Sequence, residues 1–325
     1  GMSKEASADR DGDMIDKPLL LIGVCTYRRP QMLGDLLAAF RGLERPPGYR
    51  VEMLVVDNDP EGSAEATVGA WQTKMPIAYV VEPARGIARV RNRVLDEALA
   101  RDAALLAMVD DDELVRADWL TVLIACFERE GADAVGGPVL WDLPEDAPAW
   151  QHYLPTSPRY SEMTGKTRGP MSLPSTNNAV ISQRIFSDLG IRFDTRFGLA
   201  TGEDPDFFRQ AQEKGARFVY VDAVLVTEQV PASRMTLAWR FRRWQNFAGA
   251  NVIDRRLQHG AASAWVHFFP RALSYCLSGP LLLIAAPFAG PKTMLKGVKQ
   301  TASGIGMLHT LFGGRASEYE VVHGH

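Results

Sequence analysis

Three consecutive aspartates, Asp110, Asp111 and Asp112, are the side chains in this sequence best suited to hold a metal ion. They directly follow an apolar run at 104–109, which predicts a buried strand that ends at the acidic residues. Carboxylates so close together repel one another unless a cation is present, and Mg²⁺ and Mn²⁺ prefer such oxygen ligands. A solvated acidic turn would contain the same residues, so this run alone leaves both interpretations open.

A second acidic pair, Glu203 and Asp204, precedes a helical pattern that carries Phe207 and Phe208. Pro205 suits the first position of a helix, which predicts that Asp204 caps the helix N-terminus. A carboxylate held at the start of a helix is also well placed to act as a general base, and the two roles are compatible.

The stretch RGIARVRN at 85–92 places arginines and a glycine at the start of a predicted helix. Helix N-termini and guanidinium groups both bind phosphate, so the stretch is a candidate phosphate site. A surface helix with exposed arginines would have the same residues. The sequence contains neither G-x-G-x-x-G nor G-x-x-x-x-G-K-[ST], so it supports neither a dinucleotide-binding fold nor a P-loop.

Strands and helices alternate over the first half of the sequence, which predicts an open, mostly parallel sheet. Polar clusters at 26–29, 57–59 and 110–113 follow three predicted strands, and ligands bind at the carboxyl ends of parallel strands. A region at 141–176, rich in Pro and Trp, predicts a functional loop such as an acceptor-side flap. The predicted elements are strands at 17–26, 51–56, 77–81, 104–109, 135–139 and 217–221, helices from Pro30, at 87–100 and at 117–130, and further regular structure at 178–182, 184–189 and 202–215.

The C-terminal part differs in charge from the rest of the chain. From Arg234 onward there are 11 Lys and Arg against 3 Asp and Glu, whereas the whole chain has a net charge of −3. Residues 272–291 are twenty uncharged residues, about the length of a membrane span, but their glycine-proline pairs and Pro287 should break a straight helix. We expect this segment to lie in or on an anionic membrane surface rather than cross it. A buried helical hairpin is the alternative, and the aliphatic residues suit lipid better than nucleic acid.

The remaining features concern compartment and chain ends. Cys25, Cys126 and Cys276 lie far apart, which argues against a disulfide framework and suits a reducing cytosol. Residues 1–16 are polar and predict a disordered tail, and Gly1 before Met2 is interpreted as a remnant of tag cleavage.

Six motifs occur in the order found in family 2 glycosyltransferases of GT-A fold, and the chain resembles that family over roughly 18–250. The motifs are CTYRRP, VVDND, RGIARVRN, VDDDE, STNNA and GEDPDFF. Within the family, the chain is most similar to the branch that contains succinoglycan-type β-glucosyltransferases of bacterial polysaccharide assembly. The resemblance implies an α/β fold of GT-A type, with a Rossmann-like, mostly parallel sheet that binds a nucleotide-sugar and is flanked by helices. We expect a catalytic domain at 17–232 and a helical, membrane-associating extension at 233–325.

The resemblance also implies a role for each matching residue. Asp204 would deprotonate the acceptor hydroxyl, and Asp57 would bond the base, usually uracil. Asp112 would ligate Mn²⁺ or Mg²⁺ with help from Asp110 and from Glu228, which stands where many relatives have a histidine. The other residues expected along the donor nucleotide are Thr26, Tyr27, Arg29, Gly86, Arg91, Asp110 and Asp111. Those expected near the donor sugar or the acceptor are Asn177, Asn178, Glu203, Arg240, Arg243 and Trp244.

The last three belong to RFRRW at 240–244, which resembles a motif of processive family members. A basic amphipathic helix at a membrane would have the same letters. The chain lacks a set of clear transmembrane helices, which argues against a processive synthase with its own channel.

The predicted activity is inverting transfer of a sugar from a nucleotide-sugar, expected to be a UDP-sugar, to a hydroxyl of a saccharide. We expect the acceptor to be a lipid-linked oligosaccharide and the enzyme to be cytoplasmic, peripheral to the inner face of the cell membrane. A sugar nucleotidyltransferase of similar fold and a non-catalytic nucleotide-sugar-binding scaffold are the alternatives. The Gly-rich, Lys-containing N-terminal loop of nucleotidyltransferases is missing from this sequence.

Overall fold

The structure is a computed structural model that describes residues 17–154, 167–168 and 175–315. The predicted tail at 1–16 and much of the predicted flap at 141–176 lie outside the described residues. All three cysteines are unpaired, as expected.

Most of the strands in the described part of the chain form one mixed sheet of eight strands, in the order β3-β2-β1-β4-β9-β6-β10-β8. Strands β1, β2, β3 and β4 run parallel, and β9 is inserted antiparallel between β4 and β6. The strands of this sheet are β1 (Leu19–Thr26), β2 (Arg50–Asp57), β3 (Ile77–Val81), β4 (Ala103–Asp110), β6 (Ala134–Gly136), β8 (Thr167–Arg168), β9 (Asn178–Ser182) and β10 (Phe218–Val221).

Helices cover both faces of this sheet, because alternate strand residues point to opposite faces and both sets are apolar. Leu20 and Ile22 of β1 pack with one group of helices, whereas Leu19 and Leu21 pack with the other. The first group comprises α1 (Pro30–Arg41), α2 (Glu65–Gln72) and α4 (Trp119–Glu130). The second comprises α3 (Ile87–Ala100), α5 (Gln183–Phe186) and α6 (Glu203–Glu213).

The prediction of one strand at 135–139 is wrong, because the chain leaves the main sheet at Gly137. A Cβ atom at this position would lie 1.9 Å from the carbonyl oxygen of Val224, so only glycine allows the two backbones to approach. The next strand, β7 (Val139–Asp142), joins a separate three-stranded sheet with β5 (Glu113–Val115) and β11 (Val226–Gln229) in the order β5-β11-β7. This small sheet pairs Glu113 with Glu228 across β5 and β11.

The C-terminal part forms a helical hairpin. Helix α7 (Leu237–Ala289) changes direction at Gly260, whose φ of 84° is not helical, and α8 (Pro291–Leu311) packs back against it. The expectation that all the prolines break the helix is wrong: α7 continues through Pro280 and Pro287 and ends only at Gly290. A proline removes one helical hydrogen bond, and a helix packed against a partner tolerates that loss.

The hairpin has a small core of its own, formed by residues such as Val252, Phe268 and Met307. By length and composition, α7 could cross a membrane, and only 11% of its most apolar window is buried. The alternative of a buried hairpin is therefore only half correct, because the hairpin exists but most of that window is exposed.

Candidate active site

The carboxyl ends of β1, β2 and β4 open into a cleft between the main sheet, the small sheet and the start of α7. Eleven of the side chains and backbone positions expected at the site line this cleft. They are Thr26, Tyr27, Arg29, Gly86, Arg91, Asp110, Asp111, Asp112, Asn177, Glu228 and Arg243.

Arg29, which follows β1, and Arg234, which follows β11, pair with the aspartate run. The Thr26 hydroxyl donates to Asp111 Oδ2 at 2.8 Å, and Arg29 Nη1 donates to Asp111 Oδ1 at 3.0 Å and to Asp112 Oδ2 at 2.9 Å. Arg234 Nη1 lies 3.2 Å from Asp112 Oδ2 and 3.0 Å from Glu228 Oε1. The carboxylates therefore lie at the cleft with cations already beside them, which is not the arrangement of a solvated turn.

Asp110 differs from its two neighbours because its side chain is 37% exposed. Partial burial of the Asp110 carboxyl group among the residues of the cleft nevertheless raises its pKa above the usual range. The positive charge of Arg91 lowers this pKa, whereas the negative charges of Asp112 and Asp204 raise it further. Its backbone N–H donates to Glu113 Oε2 at 2.8 Å, and burial raises the pKa of Glu113 well above its ordinary value. Glu113 was not predicted as a site residue, although it is the fourth acidic residue of the same run.

The donor set fits a divalent cation only if the substrate supplies further ligands. Within the described ranges, no group of three or more His, Cys, Asp or Glu side chains has the geometry of a metal site. Asp112 Oδ2 already accepts bonds from Arg29 and Arg234, whereas Asp110 faces the cleft. Mg²⁺ and Mn²⁺ are commonly held by one or two carboxylates together with phosphate oxygens and water, and Asp110 and Asp112 suit that mode of binding.

Asp204 does not cap α6, contrary to the prediction. The helix begins two residues earlier than predicted, at Glu203, and Gly202 is its cap with a φ of 115°, so Asp204 and Pro205 occupy the first turn. A Cβ atom on Gly202 would lie 2.8 Å from the ring of Phe197, so glycine is needed here for both space and conformation. The carboxylate of Asp204 is consequently free to bond groups other than its own helix.

Four donors hold the Asp204 carboxylate behind Arg91, which lines the cleft. The Ser175 hydroxyl lies 3.0 Å from Oδ2, and Thr176 donates through its backbone N–H at 3.1 Å and its hydroxyl at 2.9 Å. Arg91 Nη1 lies 2.5 Å from Asp204 Oδ1. Asp204 is 13% exposed and does not itself line the cleft, which it meets through Arg91.

Arg91 is therefore the residue that joins the two acidic groups. Its Nη1 lies 2.5 Å from Glu203 Oε1, and its Nη2 lies 3.7 Å from Asp110 Oδ1. Arg91 is 4% exposed and its guanidinium is occupied by carboxylates, so its position favours organising the site over a simple surface contact with phosphate. Burial raises the pKa of Glu203 to about 7 even though Arg91 acts to lower it.

Two residues expected to contact ligands, Asp57 and Asn178, are buried and form hydrogen bonds with other groups of the protein instead. Asp57 is fully buried, and its carboxylate accepts bonds from the Asp59 and Ala64 N–H groups and from the Tyr79 hydroxyl at 2.8–2.9 Å. Its neighbour Asn58 lines the cleft in its place.

Asn178 is 1% exposed and holds the small sheet and α4 in place. It accepts from Trp119 Nε1 at 2.9 Å, and its amide donates to the carbonyl groups of Pro138 and Val224. Asn177, beside it, lines the cleft.

The motif at 240–244 is divided between the cleft and the protein interior. Arg243 lines the cleft, whereas Arg240 is 5% exposed and stacks between Trp141 and Trp239, with ring distances of 4.8 and 5.1 Å. Trp244 lies outside the cleft lining.

Nine residues of the cleft lining were not among the predicted site residues: Cys25, Asn58, Arg85, Ile87, Val90, Leu199, Thr201, Arg234 and Trp239. The sequence could have indicated Asn58, because it belongs to the same VVDND motif as Asp57. Arg234 lies only six residues after Glu228, but nothing in the local pattern shows that its guanidinium joins Glu228 to Asp112.

Comparison with known proteins agrees with this geometry. Residues 21–190 match Glycosyl transferase family 2. The succinoglycan biosynthesis protein ExoM of Rhizobium meliloti is 36% identical over 256 residues, which cover 75% of this chain and 78% of the relative.

Solved structures of much lower identity share the fold. The mannosyltransferase PcManGT of Pyrobaculum calidifontis, in complex with GDP-Man and Mn²⁺, superposes with a TM-score of 0.60 at 18% identity, covering 91% of this chain and 88% of that one. TarS of S. aureus in complex with UDP-GlcNAc has a TM-score of 0.52 at 13% identity, covering 94% of this chain and 95% of that one. The family match, the ExoM relationship and the shared GT-A fold together place the chain in glycosyl transferase family 2, so it is a glycosyltransferase.

Proposed function

We propose that the protein transfers a sugar, with inversion, from a UDP-sugar to a hydroxyl of a lipid-linked saccharide during bacterial polysaccharide assembly. The observation that carries this proposal is the contact of Arg91 with Asp204 on one side and with Asp110 on the other. Arg91 thereby holds the carboxylate that would deprotonate the acceptor close to Asp110. Asp110 is one of the carboxylates that would hold a cation against the donor phosphates. The polysaccharide role is supported by the similarity to ExoM.

In this mechanism, the acceptor hydroxyl attacks the anomeric carbon while its proton passes to the Asp204 carboxylate. One displacement inverts the configuration and releases the nucleoside diphosphate, without a covalent intermediate. The donors from Ser175 and Thr176 orient the carboxylate, as general-base catalysis requires a fixed geometry. A divalent cation held by Asp110 and Asp112 would neutralise charge on the departing diphosphate.

Cationic side chains of the protein support the same charge. Arg29, Arg234 and Arg243 line the cleft on the side of the aspartates, where a leaving diphosphate would gain negative charge. Preorganised cations in a partly dry cleft stabilise such charge more than they would in water. Asn58 further bonds the backbone N–H of Gly86 at 2.8 Å, which fixes the loop before α3 against the cleft.

A panel of UDP- and GDP-sugars tests the activity directly. The proposal expects Mn²⁺-dependent turnover of one UDP-sugar, with release of UDP rather than pyrophosphate, and a product of inverted anomeric configuration by NMR. Turnover that releases pyrophosphate would indicate a nucleotidyltransferase. Absence of nucleotide and Mn²⁺ binding by calorimetry would indicate a non-catalytic scaffold.

We also propose that the C-terminal hairpin lies on the inner face of the cell membrane. Six exposed apolar residues, here called the apolar stripe, follow one another at helical spacing along the second part of α7. They are Val266, Leu273, Leu277, Leu281, Ile284 and Phe288. Leu277 is 70% exposed and Phe288 is 96% exposed, and an exposed apolar strip of this length suits an interfacial helix. Vesicle flotation that left the protein in the aqueous fraction would contradict this part.

A further inference from the structure

An open pocket lies in the C-terminal hairpin, away from the active-site cleft. Five basic side chains line it and are here called the basic pocket: Arg255, His259, His267, Arg271 and Lys299. The bend at Gly260 creates it, because it turns Arg255 and His259 of the first part of α7 toward the second part, while α8 contributes Lys299.

The charge of the basic pocket is unbalanced. Asp254 is the acidic residue among the side chains found to line it, and its Oδ1 already accepts from Gln258 at 2.6 Å. Within the described ranges, no ion pair of 4.0 Å or less joins Arg255, Arg271 or Lys299 to a carboxylate. A concave site with several cations and little compensating negative charge attracts an anion.

Neighbouring groups orient the two arginines. Arg255 Nε donates to the Ser263 hydroxyl at 3.1 Å, and the Arg271 guanidinium lies over the Tyr275 ring at 5.6 Å, with Nη2 3.4 Å from its hydroxyl. Ser303 and Asn251 also line the cavity and add neutral hydrogen-bonding groups. Planar guanidinium groups held in this way suit the oxygens of a phosphate.

The basic pocket adjoins the apolar stripe. His267 follows Val266 directly, and Arg271 is one helical turn further along, so both lie beside the stripe on the same helix. Lys292 and Lys296 are exposed on α8 and, with Lys299, recur at helical spacing. An apolar surface bordered by cations is the arrangement that meets acyl chains and headgroups together.

We propose that the basic pocket binds the phosphate of an anionic membrane phospholipid whose acyl chains lie against the apolar stripe. The proposal rests on the membrane association proposed above and adds a defined headgroup site to it. A soluble phosphate ligand would leave the exposed stripe beside the pocket without a role, which favours the lipid. The site also fixes the orientation of the hairpin on the membrane.

Flotation of the full chain with two kinds of vesicle tests the proposal: phosphatidylcholine alone, and phosphatidylcholine mixed with phosphatidylglycerol. The pocket variant is Arg255→Gln with Arg271→Gln, and the matched control, which loses the same charge outside the pocket, is Lys292→Gln with Lys296→Gln. The affinity of the pocket variant for vesicles that contain phosphatidylglycerol should be at least about tenfold lower than that of the control variant. Binding of both variants to phosphatidylcholine vesicles should be unchanged. Lys299→Gln, an exposed position, should lose part of it without any effect on folding.

The outcomes separate the sources of failure. Equal losses in the pocket variant and the control would overturn the headgroup site and leave only general surface charge. Inorganic phosphate without vesicles could also stabilise the wild type against heat. If this stabilisation equals that given by phosphatidylglycerol and is lost in the pocket variant, the lipid assignment is wrong. If no protein binds any vesicle while sugar transfer to a soluble acceptor persists, the membrane association itself fails and the active-site assignment stands.

Discussion

Replacing Arg91 with methionine should weaken both the fold and the reaction, because Arg91 holds Glu203 and Asp204 beside Asp110. The methionine keeps most of the side-chain length but leaves these carboxylates without their cation. Loss of one partner from a buried ion pair costs about 3–5 kcal/mol, and the burial of Arg91 and Glu203 places them in that class. The free energy of unfolding should fall by about that amount.

The same substitution should lower kcat more than it raises KM, since the base loses its position while most donor contacts remain. A decrease in kcat of about 10²-fold or more is expected for a displaced general base. Arg91→Lys keeps the charge but not the fork that reaches two carboxylates, so its losses should be intermediate. Urea denaturation and initial rates of UDP release are the two measurements.

Arg89→Met is the matched control, because Arg89 is exposed on the same helix and lies outside the cleft lining. It should change neither stability nor kcat appreciably. If Arg91→Met unfolds at the same denaturant concentration as the wild type and retains its kcat, the account of Arg91 as the link between the acidic groups is wrong.

The folded-state pKa of Glu203, about 7, exceeds its ordinary value, so the folded protein keeps a proton that the unfolded chain has lost. The free energy of unfolding should therefore fall as pH rises from about 4.5 to 7. Thermal melts at several pH values should show a smaller fall for Glu203→Gln than for the wild type. Chelation with EDTA should abolish UDP release, and added Mn²⁺ should restore it. Asp112→Asn should raise the Mn²⁺ concentration that gives half-maximal rate by about tenfold or more. A Mn²⁺ titration identical to that of the wild type would contradict the role of Asp112. Gly137→Ala, whose Cβ would meet the Val224 carbonyl, should cost about 1–3 kcal/mol in urea denaturation, whereas Gly48→Ala, which meets nothing within 4 Å, should not.

The elements of the catalytic half were predictable because its strands and helices have strong, separate periodicities. The strand at 77–81 and the helix at 87–100 occur at the predicted positions, as Ile77–Val81 and Ile87–Ala100. The errors occur where tertiary contacts decide the outcome. The break at Gly137 depends on the approach of the Val224 backbone, which is 87 residues away in sequence. The continuous helix through Pro280 depends on its packing against α8.

The candidate site was predictable at the level of motifs, because strand ends bring clusters in a parallel sheet to one edge. Which member of a motif faces the cleft was not predictable. Asp57 and Asn178 point into the protein, whereas their neighbours Asn58 and Asn177 line the cleft. A one-residue change of register decides this, and local sequence carries no signal for it. The start of α6 was misplaced for a similar reason, since the Phe197 ring leaves no room for a Cβ atom at the cap position, Gly202.

The central claim is that Asp204 acts as the base in a glycosyl transfer organised by Arg91. The most direct test compares the wild type with Asp204→Asn, measuring kcat for transfer to a saccharide acceptor and the Kd for UDP by calorimetry in the same Mn²⁺ buffer. We expect kcat to fall by about 10²–10⁴-fold while the Kd for UDP stays within about twofold. Full transfer activity in Asp204→Asn would contradict the assignment, and so would a loss of activity explained entirely by weaker UDP binding.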